Sequence, residues 1–134
     1  MERINRDIKN LSLQICEHQI SLHKVRCTRM DNRIQRYFNS SMRRNVFARL
    51  MCKGNYLNEW YSINDISREL FLTRQTAHRF VSDCLAEGWI IRKENCRPSV
   101  FRATAILIQA MENYAEAYNE ELISLGKNLH SLQK

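Results

Sequence analysis

Residues Ser62–Gly88 read SINDISRELFLTRQTAHRFVSDCLAEG, and the fold follows from this stretch. Ser62 and Asp65 stand three residues apart, as a capping pair does at a helix start. Ile63, Ile66 and Leu70 recur on one helical face, so the first segment is a short amphipathic helix that ends near Phe71. Thr73 then occupies a second N-cap position, and Ala77, Phe80, Val81 and Leu85 give the next helix an apolar stripe. Gly88, suited to a left-handed C-terminal cap, stops it. Two short helices joined by a tight turn are a helix-turn-helix.

With Ala77, Phe80 and Val81 turned inward, the second helix leaves Arg74, Gln75, Thr76, His78 and Arg79 uncovered in its first two turns, next to Thr73. These side chains can hydrogen-bond base edges and phosphates. Charge on an exposed face is by itself ordinary; the preceding helix and the strands that follow supply the context in which such a face reads DNA. Trp89–Arg92 and Val100–Ala103 have the β-branched and aromatic content of short strands, separated by a polar segment that carries Arg97. The combination predicts a winged helix, with Arg97 placed at the wing tip to reach a phosphate or a minor groove.

At these residues the chain resembles a known family. LTRQTAHRFVSDCLAEGWIIRK (72–93) followed by NCRPSVFRAT (95–104) is similar to the MarR family of bacterial winged-helix transcription regulators, whose wing carries an Asp-x-Arg pattern, then a strand, then a Thr that starts a helix. Arg97 matches the arginine and Thr104 the threonine, while Asn95 stands in place of the acid that helps to hold the arginine. The resemblance is specific over residues 62–104. It implies a dimer built from the terminal helices, a pseudo-palindromic double-stranded DNA operator, and a small-molecule effector site between the dimer helices and the winged helix. Some relatives sense peroxides through a cysteine early in the first helix, which makes Cys16 a candidate for a redox-sensing alternative.

Outward from the motif, the ends are long stripes. Ile4, Ile8, Leu11, Ile15, His18, Leu22 and Val25 alternate steps of four and three, a heptad seam, with a polar position in its middle. Leu107, Met111, Tyr114, Tyr118, Leu122, Leu125, Leu129 and Leu132 make a second stripe in a helix begun by Thr104. The expectation is a mainly α single domain, residues 1–134, in which residues 1–38 and 104–134 form a helical homodimer layer around a winged helix at 41–103. Two such stripes are more than a small winged helix can cover alone.

Between seam and motif, Arg26, Arg29, Arg33 and Arg36 repeat opposite Met30, Ile34, Tyr37 and Phe38, which puts the arginines on one helix face. Asn39, Ser40 and Ser41 then cap a new helix expected to bury Val46, Phe47, Leu50 and Met51 and to end at Gly54. Arg43 and Arg44 in its first turn are disfavoured by the helix dipole unless an anion lies nearby, and join the DNA-contact candidates. Tyr56–Tyr61 is an aromatic connector in which Trp60 and Tyr61 cover core.

Composition bounds the function. The 134 residues carry a formal net charge of +7. Residues 1–53 hold twelve Lys or Arg against four acids, net +8, and residues 62–104 seven against five, net +2. That balance favours a polyanionic partner. There is no long uncharged apolar stretch and no apolar leader after Met1, so no membrane partner and a cytoplasmic location are expected. Five cysteines, at 16, 27, 52, 84 and 96, are odd in number and fit free thiols. His23 and Cys27 have a chelating spacing but no evident further ligands, so no metal or cofactor is expected. No nucleophile with a base partner, no glycine-rich phosphate loop and no paired acids occur, which argues against an enzyme. The competitor from another class is a winged helix used as a protein-interaction module, against which Arg74, Arg79 and Arg97 count.

Overall fold

The structure is a computed structural model that describes the backbone of residues 2–28 and 32–132 and the side chains of residues 5–28 and 32–124. Among the described residues six helices and three short strands follow one another: α1 Glu2–Thr28, α2 Arg33–Asn39, α3 Met42–Leu57, β1 Tyr61–Ser62, α4 Ile63–Leu70, α5 Arg74–Glu87, β2 Ile90–Arg92, β3 Val100–Ala103 and α6 Ala105–Leu132. The strands form one antiparallel sheet in the order β1-β3-β2, with Tyr61 opposite Phe101 and Ile90 opposite Ala103. A helix-turn-helix, α4 and α5, thus sits beside a β2-β3 wing, and α1 and α6 pack on each other as a helical layer. This is the expected winged helix flanked by long terminal helices.

The core is built where the stripes converge. Phe38, Phe47, Met51, Ile66, Leu107 and Tyr114 are fully buried, and Ala77, Phe80, Val81 and Cys84 line the inner face of α5. Trp89 packs on Tyr37 and Phe38 at ring separations of 5.4 Å. Of the face expected for α3, Phe47, Leu50 and Met51 are buried, whereas Val46 is 38 % exposed. Its place inside is taken by Ala48, Cys52 and the polar Asn45.

Two further expectations are corrected. The arginines Arg26, Arg33 and Arg36 do not share the face of one helix, because Asn32 is extended and caps α2 by accepting the Gln35 N–H at 2.8 Å; Arg29 and Met30 lie outside the described residues. Gly54 does not end α3. The helix runs three residues further to a left-handed Asn58, and Gly54 is there because a Cβ would stand 2.8 Å from the Glu59 carbonyl oxygen, 3.0 Å from the Tyr61 ring and 3.3 Å from Arg102 Cβ. The aromatic connector also ends in a strand, β1, which pairs with β3. Thr104 does open α6, yet its hydroxyl donates to the carbonyls of Gly88 and Trp89, at 2.8 and 3.0 Å, rather than capping the helix amides.

The two terminal stripes differ in how far their own chain covers them. Val25 is buried and Leu22 half-buried, and the Tyr114 hydroxyl donates to the Leu22 carbonyl at 3.3 Å. Towards the start of α1 the seam is bare: Ile8 is 61 %, Leu11 52 % and Ile15 53 % exposed. Met111, expected at a chain–chain contact, is instead buried in the chain's own core, and Tyr118 is half-buried with its hydroxyl hydrogen-bonded to the His18 ring. The side chains of Ile4, Leu125 and Leu129 lie outside the described residues.

The close approach at Gly54 is open to a direct check. Gly54→Ala gains helix propensity but drives a methyl group into backbone, and the variant is expected to be less stable by about 1–3 kcal/mol in urea unfolding. Equal or greater stability would show that the β1 junction yields easily.

Candidate nucleic-acid interface

The local chemistry that presents α5 is a set of caps. Ser62 and Asp65 form a complete capping box, Asp65 N–H to Ser62 Oγ at 3.1 Å and Ser62 N–H to Asp65 Oδ2 at 2.9 Å. The backbone bond from Ser62 holds the Asp65 carboxyl below its ordinary value, aided by Arg68 at 2.9 Å. The turn between the helices places Phe71 in the left-handed region, φ 54°, and the Ser67 hydroxyl donates to the Leu72 carbonyl at 2.5 Å. Thr73 caps α5 by accepting the Thr76 N–H at 3.1 Å and donates its own hydroxyl to Thr76 Oγ1 at 2.9 Å. At the far end Gly88, φ 75°, and Trp89 return bonds to Leu85 and Cys84.

The candidate contacts fall into three groups. Arg74, Gln75, His78 and Arg79 are exposed on the first two turns of α5, opposite buried Ala77, Phe80 and Val81. Within this group Arg74 and His78 line a groove of about 300 Å³ towards the wing, which Arg92, Pro98 and Ser99 close from the other side. Arg92 belongs to this surface and escaped the sequence reading, because nothing in the sequence tells which face of a three-residue strand meets α5. Thr73 and Thr76 are committed to the cap. Arg97 is exposed on the wing, which Lys93 N–H to Val100 O, 3.0 Å, closes, and Asn95 beside it takes a left-handed φ of 58°.

Arg43 and Arg44 form the third group, and they part company. Arg43 is exposed. Arg44 lies 4.6 Å over the Tyr37 ring, within bonding distance of Ser40 Oγ, and lines a second cleft of about 600 Å³ between α2 and the C-terminal half of α5. Arg33, Arg36, Asp83, Glu87 and Trp89 also border this cleft. Across it the Tyr37 hydroxyl donates to Asp83 Oδ2 at 2.9 Å, and Arg33 pairs with Glu87 at 2.5 Å. Burial, and then the bond to Asp83, raise the Tyr37 phenol far above its ordinary value, so it remains a donor at neutral pH.

The cysteines divide by burial. Cys52 and Cys84 are desolvated, which pushes both thiols up to about 12 and leaves them protonated at neutral pH. Cys16 and Cys27 are exposed, and Cys27 Sγ lies 3.5 Å from His23 Nε2. Among the described residues no group of three or more His, Cys, Asp or Glu side chains could hold a metal ion, and no helix is long and apolar enough to cross a membrane.

A helix-turn-helix with a wing, carried on a layer of long terminal helices, defines the class: the fold is the winged-helix fold of MarR family structures. The chain is similar to a transcriptional regulator from Thermotoga maritima, with a TM-score of 0.61 and 13 % identity over 96 % of this chain and 82 % of that one. It is also similar to a MarR family protein from Bacillus stearothermophilus, with a TM-score of 0.59 and 14 % identity over 99 % and 95 % of the two chains. A third solved structure, NadR in complex with 4-hydroxyphenylacetate, superposes with a TM-score of 0.54 at 14 % identity, covering 91 % of this chain and 79 % of that one. No protein-family model and no curated protein matches the sequence. At such identities the likeness establishes the fold.

The capping box yields a pH test. Asp65→Ala should cost about 1 kcal/mol of stability at neutral pH. Because the folded-state pKa lies below the ordinary 3.8, the Asp65 contribution is complete above that value and is lost as pH falls through the lower, folded-state one. Wild type and variant should therefore draw together as the pH falls below that range; a gap that stayed constant on acidification would refute the charge-based account.

Proposed function

We propose that the chain is a transcription regulator that binds double-stranded DNA sequence-specifically, as a homodimer, on a pseudo-palindromic operator. The observation that carries this reading is the cluster Arg74, Gln75, His78 and Arg79 on the first two turns of α5, with Arg92 and Arg97 on the wing beside it. A capped helix with an apolar back and this polar front fits the major groove, where Gln pairs with adenine and Arg with guanine. Arg97 supplies anchoring to phosphate, and Arg43 is a backbone contact at most. The kinship of fold with a transcriptional regulator from Thermotoga maritima and a MarR family protein from Bacillus stearothermophilus supports the same reading.

Alanine at Gln75 or Arg79 should weaken binding to a selected operator by about 1–3 kcal/mol and relax preference at one base pair. Arg97→Ala should weaken cognate and random DNA alike, with the salt slope shallower by about one ion. An operator selection on the purified protein followed by titrations at several salt concentrations reads both. Salt-independent, sequence-indifferent binding would favour the protein-interaction module instead.

The homodimer rests on burial. Ile8, Leu11 and Ile15 form one apolar seam that the chain itself leaves uncovered. A second copy related by two-fold symmetry covers it, and the two α5 helices then address half-sites about 34 Å apart. Aspartate at Ile8 and Leu11 should dissociate the dimer and abolish operator binding while the winged helix keeps its helical signal. Sedimentation that gave a wild-type monomer at micromolar concentration with tight half-site binding would overturn this part.

The cleft between α2 and α5 is where we place a small-molecule effector. It lies between the terminal-helix side and the reading helix, and NadR, of the same fold, carries 4-hydroxyphenylacetate. Arg36 and Arg44, beside the flat faces of Tyr37 and Trp89, suit an anionic molecule with an apolar body.

A further inference from the structure

The two bonds that cross the α2–α5 cleft repeat with helical spacing. Arg33 and Tyr37 are four residues apart on α2, and Asp83 and Glu87 four residues apart on α5, so each pair stands on one face and the partners meet rung by rung. The two helices are joined here by side chains across open space rather than by close backbone packing. On its other face α2 is tied to the helical layer, where buried Gln35 donates from Nε2 to the Ala110 carbonyl of α6 at 3.0 Å. Gln35 Oε1 in turn accepts from Asn39 at 3.1 Å, and Asn39 Oδ1 accepts from buried Asn45 of α3 at 3.3 Å. The short helix α2 is therefore a bracket with two polar links to α5, one to α6 and one to α3.

Apolar packing fixes α5 differently along its length. Ala77, Phe80, Val81 and Cys84 seat its inner face in the core and the bonds of Gly88 and Trp89 anchor its end, while the two rungs grip the outer side of its last two turns. Those turns carry Asp83 and Glu87. A tilt there is levered to the N-terminal turns, where Arg74, Gln75 and Arg79 stand.

We propose that Arg33 and Tyr37 are positioning residues: the Tyr37–Asp83 and Arg33–Glu87 rungs latch α5 to α2, and through Gln35 to the helical layer, so that the distance and angle between the two reading helices of a dimer depend on them. The proposal rests on the DNA-binding reading given above. It predicts that the latch governs discrimination between operator spacings more than affinity for a single half-site, because each half-site is read by one α5 whatever its tilt relative to the partner.

The test uses the full chain and Tyr37→Phe, Glu87→Gln, Arg33→Glu and the swapped pair Arg33→Glu with Glu87→Arg. Binding is titrated to the selected operator, to operators with one base pair added or removed between half-sites, and to an isolated half-site. Tyr37→Phe and Arg33→Glu should each lower the preference for native over altered spacing about three- to tenfold, the factor one lost hydrogen bond gives, with half-site affinity unchanged. The swapped pair should restore the preference. A spacing preference that is unchanged in the single variants, or lost only together with half-site affinity and thermal stability, would overturn the latch and leave a merely structural contact. Amide hydrogen exchange on the protein alone gives a second reading that needs no DNA: residues 83–87 should exchange faster in Tyr37→Phe and in Glu87→Gln, and undiminished protection there would overturn it. If the wild type binds no DNA, the function fails while the exchange result still decides the latch.

Discussion

The junction at Gly88 and Trp89 is the constraint on which the other parts depend. Gly88 adopts φ 75°, a conformation that costs a residue with a Cβ, and there the chain leaves α5 while bonds from Gly88 and Trp89 N–H close on Leu85 and Cys84. Trp89 is thereby pressed against Tyr37 and Phe38 of α2, and its carbonyl accepts both the backbone and the hydroxyl of Thr104 at the start of α6. One pair of residues thus fixes the end of α5, the root of the wing, the packing of α2 and the departure of the last helix. The resemblance that singles out Thr104 acquires a physical reason in this arrangement: its hydroxyl holds the junction rather than a helix start.

What sequence makes legible is what local chemistry decides. Ser62 with Asp65, Thr73, and Gly88 act on their own or neighbouring backbone, and the structure finds each at its cap. The apolar spacing that assigns Ala77, Phe80 and Val81 to the inside of α5 is equally local. The misreadings arise where a partner distant in sequence decides. Gly54 resembles a terminating glycine, yet it is required by β1 and Arg102, and a helix interior holds it. Val46 fits the stripe of α3 but faces out, since Ala48, Cys52 and Asn45 meet the core. The arginines at 26, 33 and 36 are in step by number, but Asn32 caps a new helix between them. Gln35, Asp83 and Glu87 carry no signal in sequence, because their roles exist only across a tertiary gap.

Charge shows the same division between placement and composition. The first fifty-three residues hold most of the excess positive charge, and a sequence count alone would direct it at DNA. In the fold part of it turns elsewhere. Arg44 stacks over Tyr37 and Arg33 pairs with Glu87, both in the cleft behind α5, while the exposed cations beside Gln75 and His78 come from α5 and the wing. A guanidinium stacked on an aromatic ring and bordered by Ser40 keeps hydrogen-bond donors free for an anion, which a solvated arginine also has but without a wall to define orientation. Arg44 in the first turn of α3 therefore loses its unfavourable helix-dipole interaction if a negative group occupies the cleft, and the dipole becomes part of that group's binding site.

Helix α5 and the terminal helices α1 and α6 meet in few places, and this bears on how the molecule could respond to a ligand. Apolar packing of Ala77, Phe80, Val81 and Cys84 seats the inner face of α5 in the core along its length. On the outer side its last two turns are held as well by a phenol, a guanidinium and two carboxylates around an open cleft. Polar links of that kind add little to stability where they are exposed. They are, however, directional and can be exchanged for equivalent bonds to a small molecule at little cost, whereas a packed core can only be displaced. An anion in the cleft would compete with Glu87 for Arg33 and leave the core of the winged helix untouched. The polar cleft is thus a place where links to α5 can be exchanged without disturbing the apolar seat of the helix.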